Sequence, residues 1–172
     1  MSEITNNDFT TEDIKNSVEY RWHKKQADVH FWVWLMLAIV MFVTLLVAAI
    51  EDLDSFWLIM LVWAICTAVV SIPFVCAIIH HHSKNKYLLK HFAEFARYEV
   101  ILNNPHTSYN YRRSVYYTVT IYVDGVQQNV NTNACFSDAL LSAGMAIDEY
   151  NNKKVAGLYD EKADKFYVIK KM

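Results

Sequence analysis

The chain has 172 residues, 54% hydrophobic and 20% charged, with 3 Gly, 2 Pro, 3 Cys and a formal net charge of -2. So little Gly and Pro excludes collagen-like and Gly/Pro-rich disordered classes, and three Cys exclude a disulfide scaffold. The near-neutral charge offers no bulk basic field for nucleic acid, and the length suits one domain or one small domain with an appendage.

The first ten residues are polar. Thr11, Glu12 and Asp13 then predict a helix start with acids in its first turn. Ile14, Val18, Arg21 and Trp22 share helical spacing through to Lys25. Such an amphipathic helix suits either the membrane surface or a face of the C-terminal domain. Its basic end favours anionic headgroups.

Two long apolar runs follow. Residues 31–50 are 20 residues without a charge, and residues 56–79 are another 24. A helix needs about 20 apolar residues to cross the ~30 Å hydrocarbon core, so both runs predict spans. The first holds 12 Leu, Ile, Val or Phe residues, which favour insertion by a few kcal/mol in total. A buried hairpin in a soluble protein would need an apolar partner surface larger than the rest of this chain provides. A cleaved signal peptide would have a shorter apolar core and fewer residues before it. Trp32, Trp34, Phe56 and Trp57 stand near span ends, as interfacial aromatics do. Pro73 is expected to kink the second span.

The link at residues 51–55 carries three acids and no base. Arg21, Lys24 and Lys25 precede the first span, and Lys84, Lys86 and Lys90 follow the second. Basic flanks stay inside, so the expectation is a plasma (inner) membrane protein with both termini cytoplasmic and residues 51–55 external. Residues 1–30 carry a net charge of -2, the link -3 and residues 80–172 a net +3.

Residues 83–97 predict a juxtamembrane helix, with Leu88, Leu89, Phe92, Phe95 and Ala96 at three- and four-residue steps. A short strand is expected from Tyr98 to Leu102, then a loop over residues 105–110. The clearest local signal is SVYYTVTIYV at residues 114–123, then Asp124-Gly125, then a second alternating segment to Thr132. A two-residue Asp-Gly loop between alternating strands predicts a hairpin. Its register pairs Val123 with Val126, Ile121 with Gln128 and Val119 with Val130, with the aliphatic residues on one face and Thr120, Tyr122 and Asn129 on the other. A helix is expected from an N-cap at Ser137 to about residue 150, with Leu140, Ala143, Gly144 and Ile147 as its stripe. Two more strands are expected, Val155 to Tyr159 and Phe166 to Ile169.

The fold expected is therefore an α+β membrane protein: a two-helix transmembrane hairpin (31–50, 56–79), then a small antiparallel β-barrel-like domain, OB-like or similar, with one inserted helix. The segments are 1–30, an N-terminal cytoplasmic stretch with an amphipathic helix; 31–79, the spans; 80–97, the juxtamembrane helix; and 98–172, a cytoplasmic β-rich domain.

Candidate chemistry is sparse. His80, His81 and His82, with His91 nearby, are the metal candidates. The consecutive three point in different directions on a helix, with no Cys or acid at ligand spacing. An interfacial cluster carrying partial positive charge is the first expectation, with metal binding or pH sensing as alternatives. Cys66, Cys76 and Cys135 suit buried small hydrophobes, and Cys76 is an alternative acylation site. Neither span holds an ionisable residue, which argues against a transporter or channel made from this chain alone. A pore of several copies lined by Thr44, Thr67 and Ser71 is a lesser alternative. Without a phosphate loop, nucleophile elbow, HExxH or CxxC, no enzyme activity and no cofactor are expected. Tyr109, Tyr111, Arg112, Arg113 and Tyr116 form a basic-aromatic stretch suited to protein contact. Base stacking is its alternative, and nucleic acid is not expected as a partner.

The segments YYTVTIYVDG at residues 116–125 and VAGLYD at 155–160 resemble bacterial two-span membrane proteins of a domain-of-unknown-function class. That class shows a tyrosine-rich strand, a V-D-G hairpin and a later V-x-x-x-Y-D strand, and the resemblance covers residues 98–170. It implies a small β-domain held by two spans. The spans of that class are expected to flank the β-domain, whereas both precede it here, and the helix at 137–150 is an addition. The class has no assigned activity, so no catalytic residue carries over. The expected partners are the lipid bilayer and a membrane protein or further copies of this chain. The expected function is a scaffold or regulator of a membrane complex acting through protein interaction. A ligand, metal or pH sensor and an immunity-type membrane protein are the alternatives.

Overall fold

The computed structural model describes residues 9–51, 56–107, 114–137 and 145–172. The chain is α+β, with two long apolar helices followed by a mixed sheet. It divides into two compact units, Met1–Lys24 with Lys84–Met172, and Lys25–Ser83.

Thr10 caps the first helix, α1 (Thr11–Lys15). Its hydroxyl accepts the Asp13 N–H at 3.2 Å, and the Asp13 carboxylate accepts the Thr10 N–H at 2.9 Å, a reciprocal capping box. The expected single helix through Lys25 is broken at Asn16-Ser17. The buried Ser17 hydroxyl accepts the Tyr20 N–H at 3.3 Å, and it restarts the chain as α2 (Val18–Glu51). The second long helix, α3 (Phe56–His91), is continuous through Pro73 and takes in most of the expected juxtamembrane helix. A single 3-10 turn, Phe92–Glu94, ends it.

In the unit of residues 25–83, the two helices are joined by indole hydrogen bonds. Trp34 Nε1 donates to Ser71 Oγ at 2.8 Å, and that hydroxyl donates to the Thr67 carbonyl at 2.7 Å. Trp63 Nε1 donates to the Met41 carbonyl at 2.9 Å. Trp34 is therefore committed to the facing helix rather than to an interface. Trp32 and Trp57 are the exposed indoles, at 61% and 81%. Met36, Val40, Leu58, Leu61 and Val69 are likewise exposed along both helices.

The other unit is built on a sheet. Its strands are β1 (Ala96–Leu102), β2 (Pro105–Thr107), β3 (Val115–Val123), β4 (Val126–Thr132), β5 (Phe136–Ser137), β6 (Met145–Ala146), β7 (Lys153–Asp160) and β8 (Lys165–Lys171). They run in the order β1-β7-β8-β4-β3-β5-β6, with β2 on β3. The β3–β4 hairpin has the register expected from its alternation, with Val123 opposite Val126 and Val119 opposite Val130. Asp124 and Gly125 take φ of 52° and 79°, as a tight Asp-Gly loop demands. Val119, Ile121 and Val130 are buried, whereas Val126, at the hairpin tip, is 61% exposed.

Three expectations are corrected. The sheet is mixed rather than antiparallel, because β4 pairs β8, and β5 pairs β6, in parallel. Residues 105–107 are a strand on β3 rather than loop, with His106 opposite Tyr116. The helix from Ser137 is not continuous. Ser137 ends β5, Met145–Ala146 form β6, and only Ile147–Tyr150 are helical (α4), while residues 138–144 lie outside the described residues.

β7 explains much of the packing. From Val155 to Asp160 every residue is buried, so the strand is covered on both faces. One face joins Tyr98, Val100, Tyr117, Ile121, Phe136 and Phe166 in the main core, which also takes Val18. Leu158 on the other face joins Ile14, Leu88 and Ile169. Residues 10–18 thus pack on the C-terminal domain, the second of the two placements their amphipathic spacing allowed. Gly157 sits where β7 crosses the Phe166 ring. A Cβ there would run into that ring and the Tyr167 carbonyl oxygen. Gly157→Ala is expected to cost about 1–3 kcal/mol by overpacking. Thermal unfolding of the full chain in detergent checks this, and an unchanged melting temperature would contradict it.

Candidate interaction surface

Of the five residues of the basic-aromatic stretch, only Tyr116 lies among the described residues; Tyr109, Tyr111, Arg112 and Arg113 lie outside them. Tyr116 is half-buried on β3 and stacks on His106 at 5.4 Å between ring centroids, with an interplanar angle of 28°. β2 therefore supplies an aromatic partner from residues expected as a loop.

A recessed surface of the sheet unit lies elsewhere, beside the Asp-Gly hairpin. A cleft of about 450 Å³ is lined by Tyr98, Tyr122, Val123, Asp124, Gly125 and Glu161. A smaller one of about 220 Å³, sharing Ala96, Val123 and Glu161 with it, adds Tyr87, Phe95 and Asp160. The β7–β8 turn shapes the floor. Asp160 is buried, and its Oδ1 accepts the Lys162 and Ala163 N–H groups at 3.1 and 3.2 Å. Its Oδ2 accepts the Tyr87 hydroxyl at 3.0 Å, a bond that raises the Tyr87 pKa. The Tyr159 hydroxyl reaches Asp164 at 3.2 Å, and its ring meets Tyr98 edge-on at 6.5 Å. Desolvation first, then the bond to Asp164, lifts the Tyr159 pKa. Acids and tyrosine rings together suit a cationic group, by charge and by the ring faces. No local pattern marks this cleft, since Tyr98, Tyr122 and Glu161 come from three separate strands and turns.

The histidines divide. His81 stacks on His30 at 5.6 Å and meets His80 edge-on at 5.6 Å. His91 faces Glu94, with Nδ1 3.1 Å from Oε1, and its ring lies 4.8 Å from Tyr87. Among the described residues no group of three or more His, Cys, Asp or Glu side chains converges as a metal site would require. Cys66 and Cys76 are exposed on α3 and Cys135 is buried, all as free thiols. Burial raises the Cys135 thiol well above its ordinary pKa.

One further residue was not singled out from sequence. Glu19, in the first turn of α2, is fully enclosed in the sheet unit at 1% exposure.

No family model, no curated protein and no solved structure matches this chain.

Proposed function

We propose that this chain is a two-pass plasma (inner) membrane protein whose β-domain recruits a protein partner and so scaffolds or regulates a membrane complex. The observation that carries the reading is the exposure of large apolar side chains along both long helices, among them Trp57 at 81%, Leu58 at 65% and Met36 at 63%. Each helix contains an 18-residue window of mean hydropathy 2.5 or above. Water does not tolerate an apolar surface of that extent, whereas hydrocarbon is its natural solvent. Indole-to-hydroxyl and indole-to-carbonyl bonds between the helices suit that medium, where polar side chains act as interhelical glue.

In this reading residues 31–50 and 56–79 are the spans, residues 51–55 face outward and the sheet unit is cytoplasmic, following the basic flanks. A barrel-like closure of the sheet belongs to this reading, and the packing of β1, at one end of the strand order, against β3 supports it. The proposed contact surface includes Tyr116, with the acidic, tyrosine-lined cleft beside the Asp124-Gly125 hairpin as a second recess. Crosslinking in the native membrane, followed by detergent purification, tests the reading. A discrete crosslinked assembly with a partner or further copies is expected; a monomer without any partner would contradict it.

A further inference from the structure

Glu19 presents a carboxylate in a place built for none. Its Oε1 accepts the backbone N–H of Val168 in β8 at 3.1 Å, joining residues 149 positions apart. Its Oε2 is buried without a hydrogen-bond partner. The neighbouring Val18 is buried in the main core, with Trp22 packed at its edge. One residue on, the Tyr20 carbonyl accepts the Asn85 amide at 3.2 Å, and the Asn85 Oδ1 is also buried without a partner. The start of α2 is therefore held to β8 by Glu19 and to α3 by Asn85, two buried polar side chains that are each only half satisfied.

The groups around Glu19 do not neutralise it. The titratable side chains that feel its charge from packed elements are Cys135 before β5, Tyr150 in α4 and Tyr167 in β8. All three are acids, and all three are raised, chiefly by burial, so they stay neutral while Glu19 titrates. On its own helix Arg21 acts on Tyr150, and His23 stacks edge-on against Trp22 at 4.8 Å. A buried carboxylate without a cation is far costlier than a buried carboxylic acid.

We propose that Glu19 is a proton-operated latch: protonated, it holds the first turn of α2 against β8, and ionised, it releases that turn from the sheet. Burial pushes the Glu19 pKa from 4.5 to about 8, partly opposed by the Val168 N–H. The raised value means that the docked state is favoured by the bound proton. The latch is fully closed below the ordinary carboxylate pKa and is lost as pH rises through about 8. The same helix continues into the first apolar run, residues 31–50. It does not depend on membrane insertion.

Nuclear magnetic resonance of the full chain in detergent micelles reads the latch directly. In the unaltered protein the Val168 amide shift follows the carboxyl group that it touches, and its titration midpoint is expected near 8. The Val18 methyl signals are expected to leave their core positions over the same range. In Glu19→Gln, a neutral side chain that still accepts the Val168 N–H, the Val18 signals are expected to stay in place up to pH 9.5. A Val168 midpoint in the ordinary carboxylate range near 4.5, or Val18 signals unmoved between pH 6.5 and 9.5, would overturn the latch. So would a Glu19→Gln protein that titrates like the unaltered one. Should the variant fail to fold, the Val168 titration alone decides.

Discussion

Phe166→Ala is expected to remove about 3–5 kcal/mol from the stability of the sheet unit, the range for deleting a buried aromatic ring. Phe166 is fully buried in the main core. Its strand, β8, joins the antiparallel partner β7 to the parallel partner β4, with Phe166 itself opposite both Tyr159 and Thr132. Its ring also fills the space left by the missing side chain of Gly157. The void therefore opens where three strands meet, and backbone ladders on both sides limit its collapse. At roughly 4–8 °C per kcal/mol for a unit of this size, the melting temperature should fall by more than about 10 °C. A fall below a degree or two would show that the ring is not a keystone of the core. The pair also couples: Phe166→Leu vacates part of the volume that Gly157→Ala invades. The double variant should lose less than the two single losses added.

The second large effect concerns the first apolar run. Val40 is 58% exposed on α2, midway through residues 31–50. Arg at the centre of a span costs about 2.5–3.5 kcal/mol on the insertion scale, where Val contributes about -0.3 to -0.6. Val40→Arg should therefore cancel about 3–4 kcal/mol, most of the favourable insertion energy of the run. In an insertion assay with glycosylation acceptors on either side of the run, the inserted fraction should drop severalfold, with Val40→Leu unchanged. Equal insertion of the Arg and Leu variants would contradict the assignment of this run as a span.

Local signals were legible where one short segment determines the outcome. The Asp124-Gly125 loop, flanked by alternating residues, specifies both the turn and the register of β3 and β4, because φ > 0 at both loop positions suits few other residue pairs. The apolar runs are likewise read directly, since length and the absence of charge suffice. Long-range pairing left weaker marks. That β4 meets β8 in parallel depends on Asn131 and Thr132 finding Lys165 and Phe166, and no local pattern encodes such a meeting. β5 and β6 are two residues each, too short to show alternation, and so residues 137–150 carry the spacing of one helix. The candidate surface was legible in part. The Tyr116 ring was expected to be available, but its partner His106 lies on a three-residue strand headed by a proline. Glu19 was hidden because acids in a first helical turn are ordinary there. Only the packing of the sheet unit around it removes its solvent.

The central claim is that residues 31–50 and 56–79 cross a membrane with the sheet unit inside, and cysteine labelling tests it most directly. Single cysteines placed at Leu53 and at Lys162, with Cys66, Cys76 and Cys135 replaced, would be exposed to a membrane-impermeant maleimide in intact cells. Labelling at position 53 without permeabilisation, and at position 162 only after it, is the expected result. Labelling of position 162 in intact cells, or recovery of the chain in the soluble fraction, would contradict it.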